Sequence, residues 1–136
     1  MPFAHLKVGL PDDQQPVPAA ELSKTITRLT AEILHKKPEV TAVQVERVPA
    51  AGWFIADRTL AEHGKASFNL RISITEGTNT KDEKALYVAA VFEALGKTLG
   101  ALHPASYVLV DEVHGDAYGY GGLTQEHRYV AAQIRG

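Results

Sequence analysis

The sequence predicts an α+β fold in which one β-α-β unit is written twice, giving a four-stranded mixed sheet with two helices on one face. Three observations predict it. A hydrophobic frame repeats at a fixed interval, the one that separates Pro2 from Phe68. Two helical segments each carry apolar residues in a 4-3-4 spacing, and the strands alternate an apolar with a polar side. A strand-helix-strand crossover implies parallel pairing inside each unit and a right-handed connection.

The first unit opens with the strand PFAHLKV, Pro2 to Val8, followed by the loop LPDDQQPVP, where Asp12 and Asp13 read as solvated charges. A helix is predicted from Ala19 to Lys36, with Leu22, Ile26, Leu29 and Ile33 on one face. After Pro38 come a strand from Val40 to Val48 and the turn PAAG. Shifted by the repeat interval, Pro2 lands on Phe68 at the head of a second strand, Ser67 to Ile74. The helical set lands on Val88, Phe92, Leu95 and Leu99, Pro38 on Pro104, and Glu46 on Glu112 in SYVLVDEV. Thr80 and Glu83 form a T-x-x-E capping box, in which each side chain answers the other's free backbone N–H. Gly100 closes that helix. The chain is expected to be a single domain of two repeats, about 2–57 and 68–122, joined by a linker at 58–65.

On the second unit's first strand, Phe68, Leu70, Ile72 and Ile74 share one side, while Asn69, Arg71, Ser73 and Thr75 share the other. His5 and Lys7 extend that polar side onto the first strand. A face too polar for a monomer's core suits a wet interface between subunits, so a closed homo-oligomer is expected.

Composition narrows the function classes. With 14 basic and 16 acidic residues the chain has no basic surplus for nucleic acid or an acidic membrane. It has no cysteine, which excludes disulfides, thiolate metal sites and a cysteine nucleophile. The six histidines show no metal-ligand spacing such as H-x-x-x-H. GYGG follows a strand, has no Lys-Ser/Thr after it and opens no strong helix, so it is not a phosphate loop. No apolar run approaches the ~20 residues of a membrane span, and no secretory signal heads the chain. A cytoplasmic protein is expected.

Pro2 is the residue that raises a chemical question. If Met1 is removed, Pro2 offers a secondary amine at the chain terminus, a base or nucleophile that no side chain supplies. The bland alternative is a small residue at a processed terminus.

MPFAHLKV, the duplicated unit, and ITEG-TNTKDEKALYVAAVFEALGKTLG followed by DEVHGDAYGYGG together resemble the tautomerase superfamily. The second half is similar to 4-oxalocrotonate tautomerase, in which an E-G turn precedes a helix and a second strand leads into a G-x-aromatic-G-x-G-G hairpin. Here the hairpin carries one extra residue before the aromatic. GWFIAD resembles the W-x-x-A-D stretch of 5-carboxymethyl-2-hydroxymuconate isomerase, a fused trimeric relative. The resemblance implies a homotrimer that needs no cofactor, with Pro2 as general base moving a proton between enol and keto forms of a small 2-oxo or 2-hydroxymuconate-type acid. It further implies an aromatic wall from Phe54 in the first half and Tyr118 in the second, although the repeat interval pairs Phe54 with Tyr120 instead.

The cations depart from the pattern. The arginine that follows the E-G turn in the family is Thr78 here, and a second family arginine falls near Gln44 in the first half and between Tyr107 and Leu109 in the second. Arg47 and Arg71 are the substitutes within reach of those positions, and each also reads as a surface or interface arginine. Glu46 and Asp57 are either water-activating carboxylates or exposed, salt-bridged side chains. Two rivals follow: a superfamily dehalogenase or decarboxylase, and a non-catalytic ligand-binding or structural trimer.

Overall fold

The computed structural model describes residues 1–12 and 14–135; Gly136 and Asp13, read above as a solvated loop charge, lie outside the described residues. β1 (Phe3–Gly9) turns Ala4, Leu6 and Val8 inward, each at most 2% exposed. α1 (Ala19–Leu34) buries Leu22, Ile26, Leu29 and Leu34. It ends at His35, whose left-handed conformation (φ 59°) stops the helix and leaves Lys36 in the following loop. β2 (Ala42–Arg47) then runs parallel to β1.

A hairpin of β3 (Phe54–Ile55) and β4 (Arg58–Thr59) leads into α2 (Leu60–His63), a single turn capped by a box of Thr59 and Glu62. The connecting segment 58–65 therefore carries structure of its own. β5 (Ser67–Thr75) and α3 (Lys81–Leu99) follow, with the expected Thr80–Glu83 capping box formed. β6 (Tyr107–Val113) leads into a second hairpin, β7 (Gly119–Tyr120) and β8 (Leu123–Thr124), and then α4 (Gln125–Arg135). α4 corrects the expectation that GYGG opens no strong helix. The Thr124 hydroxyl accepts the His127 N–H at 3.0 Å, and no glycine or proline interrupts the next residues up to Arg135.

The sheet order is β2-β1-β5-β6, parallel within each unit and antiparallel where β1 meets β5. The core lies between the sheet and the two long helices. The second helix buries Tyr87, Val91, Leu95 and Leu99, whereas Val88 and Phe92, expected on that face, are 40% and 38% exposed. The physical reason is a slip in the repeat. Phe3 pairs with Ala42, but its counterpart Asn69 pairs with Tyr107, where the repeat interval requires Val108. From the helices onward the second unit thus runs one residue short, and a single residue turns a helix by about 100°. The slip brings the Tyr87 hydroxyl inside, where it shares a 2.9 Å hydrogen bond with Thr30 of α1.

Among the described residues, no element covers the other sheet face. Arg71 pairs with Asp111 there at 2.6 Å, and Phe3, Leu109 and Tyr107 stand 46%, 52% and 67% exposed beside them. The face is more apolar than the first strands alone suggest. Among the described residues, no helix is long and apolar enough to cross a membrane.

Candidate functional site

A helix in a parallel crossover runs back against its strands, so the C-terminal end of α1 returns to the edge where β1 begins. Antiparallel pairing of β1 with β5, Phe3 opposite Ser73, brings the end of β5 to the same edge. The turn Glu76–Gly77, with Gly77 at φ 75°, then the second hairpin and the start of α4 complete the surround. The result is a cleft of about 800 Å³ at one corner of the sheet, with Met1, Lys36, Thr78, Tyr120, Gln125 and Arg128 in its wall.

The chain terminus is held firmly there. Pro2 is buried and its carbonyl accepts the Ala42 N–H at 3.2 Å. The Tyr118 hydroxyl donates to the Met1 carbonyl at 2.6 Å, with the Ser73 carbonyl a second acceptor at 3.2 Å. Burial holds the Met1 ammonium below the ordinary range of a terminal amine, and the positive charge of Lys36 pushes it the same way. Burial also raises the Tyr118 phenol, which keeps it a hydrogen-bond donor.

Two cations converge on the cleft. Lys36 Nζ donates to Thr78 Oγ1 at 2.8 Å, and that hydroxyl donates onward to the Thr75 carbonyl at 2.6 Å. Burial lowers the Lys36 ammonium, an effect opposed by the charge of Glu83. Arg128 stacks over the Tyr120 ring at 3.9 Å and donates to the Tyr120 carbonyl at 2.9 Å, while its Nε and the Gln125 amide nitrogen are buried without an acceptor. Among the described residues, neither cation makes an ion pair and no cluster of three metal-ligating side chains forms.

Of the residues singled out in the sequence, the structure brings Pro2, Tyr118 and Tyr120 together at this corner. Gln44 and Arg71 lie on the exposed sheet face. Arg47 sits five positions along β2 from the residue opposite Phe3, roughly 16 Å away at strand rise, and donates to the Val17 carbonyl at 2.5 Å. Phe54, 58% exposed, belongs to the opposite corner with Trp53, Asn69 and Tyr107. Glu46 stands 3.3 Å from His5 on the open face, and Asp57 is exposed at a hairpin tip with φ 61°. The hairpins also settle the aromatic register: Phe54 and Gly119 occupy equivalent places, as do Trp53 and Tyr118.

Lys36 and Arg128 are the residues that sequence reasoning missed. The signal for Lys36 was available, since any helix in such a crossover ends beside the start of its first strand. The signal for Arg128 was the likeness of TLAEH, beginning at Thr59, to TQEHR, beginning at Thr124, which extends the repeat through the hairpin into α4.

Comparison with known proteins bears on this geometry. A family model described as tautomerase enzyme matches residues 69–128, the second unit with its hairpin. The crystal structure of native fused 4-OT is 24% identical, covers 90% of this chain and 97% of its own, and superposes with a TM-score of 0.75. A fused 4-OT solved as an asymmetric trimer is 18% identical over 91% of this chain and 98% of its own, with a TM-score of 0.74. A member of the cis-3-chloroacrylic acid dehalogenase family is 19% identical over 93% and 90%, with a TM-score of 0.69. No curated protein matches the chain in sequence.

Proposed function

The chain has the tautomerase fold, two units fused in one polypeptide, and from that premise we propose that it is a cofactor-independent tautomerase. It moves a proton between enol and keto forms of a small 2-oxo or 2-hydroxymuconate-type acid. The observation that carries this reading is the chain terminus itself, buried beside an open cleft with its amine held below the ordinary range.

Loss of Met1 moves the terminus inward by about 3.8 Å and makes the buried Pro2 nitrogen a secondary amine. A terminal amine titrates near ~7.7–8.0 when unperturbed, and burial with the neighbouring lysine charge works toward the neutral form, the one a general base needs. Pro2 takes a proton from the enol hydroxyl or the α-carbon and returns it to another carbon. The negative charge that develops between the two steps meets Lys36, Arg128 and the unpaired donor of Gln125. Tyr118 and Tyr120 form the wall beside it. The protein acts as a homotrimer in which the bare sheet face is the seam.

Intact mass run beside a phenylenolpyruvate or 2-hydroxymuconate ketonisation assay tests the proposal. Activity confined to the methionine-free fraction, and largely lost in Pro2→Ala, is the expected result. A fully processed protein inert on every enol, or one releasing halide from 3-haloacrylate instead, overturns it.

A further inference from the structure

Tyr118 reaches the oxygen that lies two bonds from the Pro2 nitrogen, that of the Met1 carbonyl. Its hydroxyl donates there at 2.6 Å, and the Ser73 carbonyl stands second at 3.2 Å. A phenol donates one hydrogen bond at a time, so the nearer carbonyl takes it. That carbonyl is an acyl group on the nitrogen proposed above as the base. Removal of Met1 takes the acyl group away and leaves the phenol facing the amine, with the Ser73 carbonyl as its acceptor among the described residues. A substrate oxygen within hydrogen-bond reach of that amine enters the space the Met1 carbonyl fills. Resting on the proposed tautomerase reading and deepening it, we infer that Tyr118 is a catalytic residue, the donor that holds the enolate oxygen while Pro2 carries the proton.

The local structure suits a donor fixed in advance. Tyr118 follows the turn Gly115–Ala117 in extended conformation (φ −144°), and its own carbonyl accepts the Gln125 N–H at 2.7 Å. The equivalent place in the first unit is Trp53, whose carbonyl accepts the Leu60 N–H at 3.1 Å and whose ring packs onto Gly9. One duplicated position thus supplies packing at one corner and a hydroxyl at the other. The remaining tyrosines are placed elsewhere: Tyr87 bonds Thr30 in the core, Tyr120 lies under Arg128, and Tyr107 and Tyr129 are exposed. Burial raises the Tyr118 phenol, against a smaller opposing effect of the Phe3 backbone, so the hydroxyl keeps its proton at neutral pH.

The step balances without a further reactant. The Pro2 lone pair takes the enol proton, and the O–H electron pair stays on oxygen as the enolate forms. Tyr118 donates to that oxygen without giving up its own proton. The protonated amine then returns its proton to carbon. The C=C pair makes the new C–H bond, the oxygen pair closes the C=O, and the amine is neutral again.

The test uses the methionine-free full-length protein, phenylenolpyruvate as substrate, and Tyr118→Phe, which keeps the ring and removes the hydroxyl. In that variant kcat is expected to fall about tenfold to a hundredfold, the size of one hydrogen bond to a charged group. KM should stay nearly unchanged, because the bond strengthens only as charge develops on the oxygen. A second variant, Tyr118→3-fluorotyrosine, keeps the shape and makes the phenol more acidic, and its kcat is expected to rise. A ring that only packs would leave kcat unmoved by that change. If both variants keep the parent kcat while Pro2→Ala is inactive, the tyrosine assignment fails and the tautomerase reading stands. A rise in KM alone in Tyr118→Phe also overturns the assignment, since the ring is then only a wall. Should Tyr118→Phe lose its native circular dichroism, the 3-fluorotyrosine variant decides, and an unchanged kcat there overturns the assignment. If the processed parent protein turns over no enol, the tautomerase reading and this inference fall together.

Discussion

Two corners of the sheet are built from equivalent residues, and one is closed while the other is open. At the closed corner β1 ends in Gly9, and Trp53 and Leu60 pack down upon it. A Cβ at Gly9 would lie 2.6 Å from Leu60 and 2.8 Å from Trp53. At the open corner the equivalent strand end is Thr75, and the places of Trp53 and Leu60 are taken by Tyr118 and Gln125, whose backbones make the same hydrogen bond across the hairpin. There the chain begins, whereas at the closed corner it continues into Ala66, which is tied to the 101–103 loop by two backbone hydrogen bonds. The difference teaches that duplication creates two corners of one shape, and that a few side chains decide which becomes core and which stays a cleft. Leu60 is fully buried; Gln125 keeps a donor without an acceptor.

The largest expected effect belongs to the open corner. Retaining Met1 turns the Pro2 nitrogen into an amide, and kcat for ketonisation should fall by about 10² to 10⁴, the usual weight of a general base, with unfolding by urea unchanged. The closed corner should respond in the opposite currency. Gly9→Ala forces Leu60 and Trp53 apart and should lower stability by about 1–3 kcal/mol in urea unfolding, while kcat per folded molecule stays as it was. Equal losses of activity and stability in both variants would erase the distinction between the corners.

Midway between the corners, Tyr87 of α3 and Thr30 of α1 join the two units through one buried hydrogen bond. Thr30→Val leaves the Tyr87 hydroxyl unpaired and should cost about 1–2 kcal/mol. Burial raises the Tyr87 phenol from 10.0 to about 12. Its contribution is therefore complete below pH 10 and is lost as pH rises toward 12, because the unfolded chain gives up that proton first. Alkaline unfolding followed by circular dichroism should be shallower across that window in Tyr87→Phe. The smallest effect is expected on the bare sheet face. Asp111→Asn breaks the exposed pair with Arg71 and should change unfolding by no more than about 1 kcal/mol, and sedimentation velocity would show whether it also loosens the proposed trimer.

Much of the fold was legible because it depends on periodicity. The inward set Phe68, Leu70, Ile72 and Ile74 is fully buried as its alternation requires, and Thr80 caps α3 as its spacing with Glu83 requires. The inward face of α3 was misread at Val88 and Phe92, since a repeat of low identity conceals a one-residue slip that a helix converts into a large rotation. At that corner, the presence of Pro2 and the two tyrosines was legible from the terminus and the hairpin. Its cations were not, because they were sought at the positions a pattern reserves for them. In the folded chain, Lys36 arrives beside Thr78 from the end of a helix in the other unit.

The sequence by itself determined the two units, their strand faces and the Thr80–Glu83 cap, for these follow from residue type and local spacing. Only the tertiary structure decided that one corner is filled by Trp53 and Leu60 on Gly9 and the other left open. It likewise decided that Lys36 and Arg128 share the open one. Those outcomes turn on which elements the crossovers and the antiparallel seam bring within a few ångströms, a relation between distant segments that no local pattern encodes.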